Sequence, residues 1–135
     1  MLAGVAFEQE RGLDGHSDGD VVCHALADAL LGAVALGDVG MHFPESDPAV
    51  EGMSGLVLLA AAVDLVLRSG GRPSSCDVTV ICDRPAIAPA REDMRASLAE
   101  VLGLEVGRVS VKATRPEGLG LKGDGIGCLA IAVVV

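Results

Sequence analysis

Residues 15–32 read GHSDGDVVCHALADALLG, and this stretch decides the fold because a capping signal leads directly into a long amphipathic run. Ser17 is followed three residues later by Asp20, a spacing typical of a capping box with Ser17 as the N-cap. The apolar residues that follow recur at helical spacing. We therefore predict a helix over about residues 18–36.

Polar side chains mark one face of this predicted helix. Asp20, His24 and Asp28 are spaced i, i+4 and i+8, so they are expected to lie on the same face. His16 lies just before the cap, where the free N–H groups of a helix N-terminus suit a phosphate or a metal-bound phosphate. The alternative is an ordinary capped helix whose polar stripe faces water.

The composition limits the class of protein. A chain of 135 residues suggests one domain, and with two Phe, no Tyr and no Trp its core must be aliphatic. The formal charge of −9 argues against nucleic-acid binding. The longest apolar run, residues 56–63, is too short to span a membrane. An anionic ligand would need local cations, such as metal ions or a few placed Lys and Arg side chains.

The cysteines indicate the compartment. The four cysteines are scattered and contain no Cys-x-x-Cys pair, so free buried thiols in a reducing cytosol are a better interpretation than a disulfide framework. These cysteines are Cys23, Cys76, Cys82 and Cys128. No basic segment with a cleavage site opens the chain. We expect a cytoplasmic protein.

Helical and strand patterns alternate along the rest of the chain. The pattern predicts helices at about residues 54–68 and 90–102, and strands at 2–8, 77–82, 109–113 and 126–135, with a long irregular stretch at 37–55. We expect one compact α/β (α+β) domain, with helices packed on one face of a small mixed sheet. The continuous apolar last strand predicts burial on both faces, and oligomerisation would supply the cover.

Two further segments carry a family resemblance. Residues 38–48 read DVGMHFPESDP, and later VKAT at 111–114 precedes EGLGL at 117–121. With the first motif, they resemble the 2-C-methyl-D-erythritol 2,4-cyclodiphosphate synthase family over nearly the whole chain. The resemblance implies a single synthase-like domain over residues 1–135 without the family's first strand, forming a homotrimer with active sites between subunits.

The implied reaction is that of a phosphorus–oxygen lyase in non-mevalonate isoprenoid biosynthesis. In the family, the 2-phosphate of a cytidine-diphosphate substrate attacks the β-phosphorus, a cyclic diphosphate forms and CMP leaves. Catalysis is then mostly charge neutralisation and positioning. The family uses a zinc ion and a second ion, magnesium or manganese.

The resemblance also implies residue roles. His24 matches a zinc ligand, Glu117 a ligand of the second metal, and His16, Thr114 and Arg115 the catalytic positions. Asp28 matches no ligand and is expected to support one. The substrate-binding positions are His16, Ser17, Asp38, Val39, Gly40, Phe43, Pro44, Glu45, Ser46, Asp47, Cys82, Ala86, Ile87, Ala88, Thr114, Glu117 and Leu121.

The sequence departs from the family near the chemistry. The family takes two zinc ligands from an Asp-x-His motif on its first strand, and we expect this chain, which opens with Met1-Leu2-Ala3-Gly4-Val5, to lack that motif altogether. Ala86 stands where Lys is usual, Arg115 replaces a Thr, and the Gly-rich run at 120–125 is shorter and lacks an Arg. Two explanations remain open: residues that belong before Met1 and in the Gly-rich loop are missing from this sequence, or the protein is a truncated, divergent relative.

Three hypotheses follow. The first is a metal-dependent synthase that acts on the cytidine-diphosphate substrate. The second is a catalytically impaired trimeric relative that binds cytidine nucleotide or acts as an assembly partner. The third is a generic α/β domain, which the length of the first motif disfavours.

Overall fold

The computed structural model describes residues 1–7, 19–117 and 125–135. Single 3-10 turns lie at Ala88–Ala90 and Val106–Arg108. In chain order, the helices and strands are α1 (Val21–Ala33), α2 (Val39–His42), α3 (Gly55–Arg68), β1 (Pro73–Ile81), α4 (Arg91–Leu102), β2 (Val109–Thr114) and β3 (Gly127–Val134).

The three strands form one mixed sheet in the order β2-β1-β3. The central strand β1 runs parallel to β2, with Val78 opposite Val111, and antiparallel to β3, with Val78 opposite Ala130. The helices pack on one face of this sheet. The expected small α+β domain is confirmed.

The core lies between the sheet and the helices. Alternate side chains of β1 are buried, as a half-covered strand requires. They meet the apolar faces of α1, α3 and α4 in one cluster made almost entirely of Leu, Val, Ala, Cys and Met. The aliphatic core predicted from the composition is therefore present.

The start of the chain differs from the prediction. The prediction of a strand at residues 2–8 is wrong for the described residues 2–7. Leu2 and Val5 instead pair across a tight turn, in which Ala3 and Gly4 have φ of 52° and 74°. The predicted cap is also wrong. Asp20, not Ser17, is the N-cap of α1, and its side chain accepts a hydrogen bond from the Cys23 N–H. Ser17 lies outside the described residues.

Helix boundaries follow local signals more closely elsewhere. Ser54 caps α3, and Gly103, with φ of 69°, ends α4. The first helix is shorter than predicted, since it ends at Ala33. The stretch at 37–55 is not wholly irregular, because α2 forms within it, capped by Asp38.

Within the single chain, the last strand is buried on one face only. Leu129, Ile131 and Val133 are 67%, 68% and 48% exposed, whereas the alternating Ala130 and Ala132 pack against the core. The helices cover only one face of the sheet, so an apolar strip remains open on the other. Among the described residues, no helix is both long and apolar enough to cross a membrane.

Candidate functional site

A cavity of about 290 Å³ lies where α1, α2 and the start of α3 converge. Both polar and apolar side chains line it. Its lining residues are His24, Asp28, Asp38, Val39, Gly40, Phe43, Glu45, Val50, Met53 and Leu58. Five of the positions implied by the family resemblance on the α2 segment, together with His24, are therefore brought together.

The first turn of α1 positions His24. The fully buried Asp20 accepts hydrogen bonds from three backbone N–H groups, those of Ala3 (2.9 Å), Gly4 (2.8 Å) and Cys23 (3.1 Å). Its carbonyl also accepts from the His24 N–H at 3.1 Å. Asp20 therefore does not belong to the exposed polar face with His24 and Asp28. Its role is to hold the helix start in place.

One carboxylate ties the α2 segment to α1, and a second one caps α2. Asp28 Oδ1 accepts from the Val39 N–H at 2.8 Å, and Asp38 Oδ1 accepts from the Met41 N–H at 3.0 Å. His42 Nε2 lies 2.6 Å from the carbonyl oxygen of Leu36. An ionised carboxylate has further lone pairs, so Asp28 and Asp38 can also accept from a ligand hydroxyl.

The lining determines which ligand chemistry fits. Among the described residues, three carboxylates, one imidazole and the apolar side chains of Phe43, Val50, Met53 and Leu58 line the cavity, and no Lys or Arg does. Carboxylates repel a diphosphate but accept hydrogen bonds from hydroxyl groups. The cavity therefore suits a small, partly apolar polyol, at the lower end of the usual ligand-pocket size.

The other group of predicted residues lies at the carboxyl ends of β1 and β2. The Cys82 N–H donates to the Thr114 carbonyl at 3.0 Å, so these two segments are adjacent. Thr114, Arg115 and Glu117 are exposed, as are Ala86 and Ala88, whereas Ile87 is buried and can offer a ligand only backbone groups. None of these residues lines the His24 cavity.

The remaining predicted residues fall in two places. Pro44, Ser46 and Asp47 form an exposed turn beside Glu45, with the Asp47 N–H bonded to the Pro44 carbonyl at 2.9 Å. His16, Ser17 and Leu121 lie outside the described residues. Sequence reasoning did not include Val50, Met53 and Leu58, whose apolar character alone does not distinguish a cavity wall from a core. Asp28 had a usable signal, its i+4 spacing from His24.

A metal site is not complete within the described residues. No three His, Cys, Asp or Glu side chains there cluster closely enough to hold a metal ion. Catalytic zinc normally has three protein ligands, so the described residues by themselves do not complete such a site, and His24 could be only one of its ligands. The expectation that the chain contains no Asp-x-His motif is wrong, because Asp14, Gly15 and His16 form one, among residues that the structure does not describe.

Comparison with known proteins assigns the family. The YgbB family model matches residues 1–135. A 2-C-methyl-D-erythritol 2,4-cyclodiphosphate synthase of Symbiobacterium thermophilum is 49% identical over 99% of this chain and 87% of that protein.

Solved structures agree with the sequence match. A 2C-methyl-D-erythritol-2,4-cyclodiphosphate synthase superposes with a TM-score of 0.92 at 33% identity, covering 100% of this chain and 89% of the other. A CDP-bound form of such a synthase gives 0.92 at 32% identity, with the same coverage. The chain therefore belongs to the YgbB family of 2-C-methyl-D-erythritol 2,4-cyclodiphosphate synthases.

Proposed function

We propose that this chain cyclises 4-diphosphocytidyl-2-C-methyl-D-erythritol 2-phosphate to 2-C-methyl-D-erythritol 2,4-cyclodiphosphate and releases CMP. An oxygen of the 2-phosphate attacks the β-phosphorus, and a new P–O–P bond closes the ring. The bond from the β-phosphorus to the oxygen bridging it to the α-phosphorus breaks, and that oxygen leaves with CMP. Family membership and the lining of the His24 cavity support this proposal. A non-catalytic relative is not favoured, because the similar proteins are named synthases.

The methylerythritol part of the substrate is assigned to the His24 cavity. Asp38 and the backbone of Val39 and Gly40 would bind its hydroxyl groups, while the apolar wall would take its carbon skeleton. The carboxylates of the cavity would repel the phosphates, which therefore would lie outside it. Holding the polyol there orients the 2-phosphate toward the β-phosphorus, and such positioning is a large part of catalysis of this kind.

The cytidine diphosphate part is assigned to the carboxyl ends of β1 and β2. There, the backbone of residues 86–88 would hold the base, and Thr114, Arg115 and Glu117 would face the phosphates. The CDP-bound synthase supports a nucleotide ligand for this family. Arg115 is exposed and would bring a positive charge to a position where the family has Thr, so it can neutralise phosphate oxygens.

We further propose a homotrimer that joins the two parts of the site. In the described monomer, the His24 cavity and the Thr114 segment do not share a cavity, so a neighbouring subunit is a natural source of the second part. The exposed apolar strip of β3, Leu129, Ile131 and Val133, supplies a surface for that association. The protein is proposed to work in the cytoplasm.

Metal dependence is proposed at the level of a divalent cation, with zinc at His24 and magnesium or manganese at Glu117. Such an ion would neutralise diphosphate charge. The described residues offer too few ligands to complete either site, and no step is derived through the metal.

The decisive experiment is turnover of the cytidine-diphosphate substrate with zinc and magnesium, followed by ³¹P NMR and CMP release. We expect equal amounts of cyclic diphosphate and CMP. Asp38→Ala should raise KM, because it removes a hydroxyl acceptor and the α2 cap. Asp64→Asn, an exposed α3 residue paired with Arg68, is the matched control. Binding of CDP without CMP release would contradict the proposal.

A further inference from the structure

A second cavity, of about 450 Å³, lies beside the start of β2, between α4 and the turn at Val106–Arg108. Three arginines line it, Arg91, Arg95 and Arg108, together with Ser75 and Ser110, and no Asp or Glu in the described part of the chain does. The whole chain has 10 Lys and Arg against 19 Asp and Glu, so three arginines around one cavity depart sharply from the rest of the molecule.

One of the three arginines is structural. Arg95 Nε donates to the Val109 carbonyl at 2.7 Å, and its Nη2 donates to the Val106 carbonyl at 2.9 Å. Its Nη1 pairs with Glu92 at 2.9 Å, which balances its charge. Arg95 therefore fixes the start of β2 against α4 and forms a rigid wall of the cavity.

The other two arginines are available to a ligand. Arg91 Nε is buried and has no hydrogen-bond partner among the described residues. A buried donor without an acceptor is unfavourable, and an anion in the cavity would remove that penalty. Arg108 is exposed, and its Nη1 makes a long contact of 3.4 Å with the Ser74 carbonyl. Both guanidinium groups can therefore turn their donors toward a bound anion.

We propose that this cavity binds the phosphate or diphosphate group of a small anion. Guanidinium groups recognise phosphate oxygens with paired, charge-assisted hydrogen bonds, and serine hydroxyls add further donors. The cavity is separate from the proposed nucleotide site. Val109 and Thr114 lie at opposite ends of β2, which places the two sites about 16 Å apart at the usual rise of a strand.

The test is a titration of isotope-labelled protein with inorganic phosphate and diphosphate, followed by backbone amide shifts at constant ionic strength. Sodium chloride is the non-phosphate arm, since it only screens charge. We expect saturable shifts at Gly107 and Ser110, with diphosphate binding more tightly than phosphate. A parallel titration with CMP distinguishes this cavity from the proposed nucleotide site. Phosphate and diphosphate should shift the amide signals of Gly107 and Ser110, whereas CMP should first shift those of Thr114 and Glu117.

Variants assign the shifts to the arginines. Arg91→Met and Arg108→Met should each weaken phosphate binding by roughly tenfold, the effect of losing a charge-assisted contact. Arg68→Met, on the exposed surface of α3, should leave it unchanged. The urea midpoint of Arg91→Met should not fall, because the buried Nε has no partner to lose. Shifts that chloride reproduces, that survive both variants, or that appear only at Thr114 and Glu117 would overturn the proposal.

Discussion

Asp20→Asn tests whether one buried carboxylate holds the start of the chain to α1. The carboxylate is fully buried and accepts from the N–H groups of Ala3, Gly4 and Cys23. Asparagine keeps the shape and one acceptor oxygen, which can still serve Ala3 and Cys23. The amide NH₂ then occupies the position of Oδ2 and meets the Gly4 N–H, donor against donor.

The magnitude follows from these contacts. Losing one charge-assisted bond and leaving one buried N–H unpaired costs about 2–4 kcal/mol. Asp20→Ala loses all three bonds and should cost more. Because a folded domain is stable by only about 5–15 kcal/mol, either change is large. With a urea slope of about 1–3 kcal/mol per M, the midpoint of Asp20→Asn should fall by about 1–2 M.

The assay is urea unfolding at fixed protein concentration, monitored by far-UV circular dichroism because the chain has no Trp or Tyr. Asp64→Asn is the matched control, since its carboxylate is exposed and its i,i+4 pair with Arg68 contributes about 0.3–0.5 kcal/mol. If the midpoint of Asp20→Asn stays as close to wild type as that of Asp64→Asn, the account of the buried carboxylate is refuted.

Three further predictions concern residues of the β-sheet. If the proposed homotrimer forms through β3, Ile131→Asp should lower the molar mass measured by light scattering to that of a monomer without unfolding the chain, because the side chain is exposed in the single chain; an unchanged trimer mass would exclude β3 from the interface. The hydrogen bond from Lys112 lowers the pKa of Asp77 below its ordinary 3.8, so this stabilisation is present above pH 3.8 and is lost as pH falls through the lowered value. Asp77→Asn should therefore show a shallower loss of stability in acid, and an identical acid profile would argue against this pair. Burial raises the pKa of Cys76 from 9.0 to about 11, so the folded state keeps a proton that the unfolded state loses, and stability falls as pH rises from 9 to 11. Cys76→Ala should make the stability measured by urea unfolding fall less steeply between pH 9 and 11. An unaltered pH dependence would mean that other groups cause the fall.

Local signals predicted much of the helical structure. Ser54 and Gly103 determine where α3 begins and where α4 ends, because a cap depends on groups within a few residues of it. The alternation of Val109 and Val111 with polar residues likewise predicted β2. In the candidate site, the motif around Asp38 brought together residues that are close in the chain.

Other features of the structure could not be predicted from neighbouring residues in the sequence. Ser17 and Asp20 are both residue types that favour an N-cap, and the sequence pattern indicated Ser17. The side chain of Asp20, the actual cap, also accepts hydrogen bonds from Ala3 and Gly4, which are 17 and 16 residues away in the chain. The single chain covers only one face of β3, so the predicted burial of its second face still depends on a partner subunit, because a hydrophobic run does not state whether the same chain or another one covers it.

The chain alone therefore determined the family motif, the aliphatic core and the capped ends of α3 and α4, all of which depend on neighbouring residues or on composition. Only the tertiary structure decided that Asp20 anchors the first turn, that Asp28 holds the Val39 N–H 11 residues away, and that this chain's own helices leave one face of β3 uncovered. These features depend on which distant groups meet when the core packs, and no short stretch of sequence contains both partners.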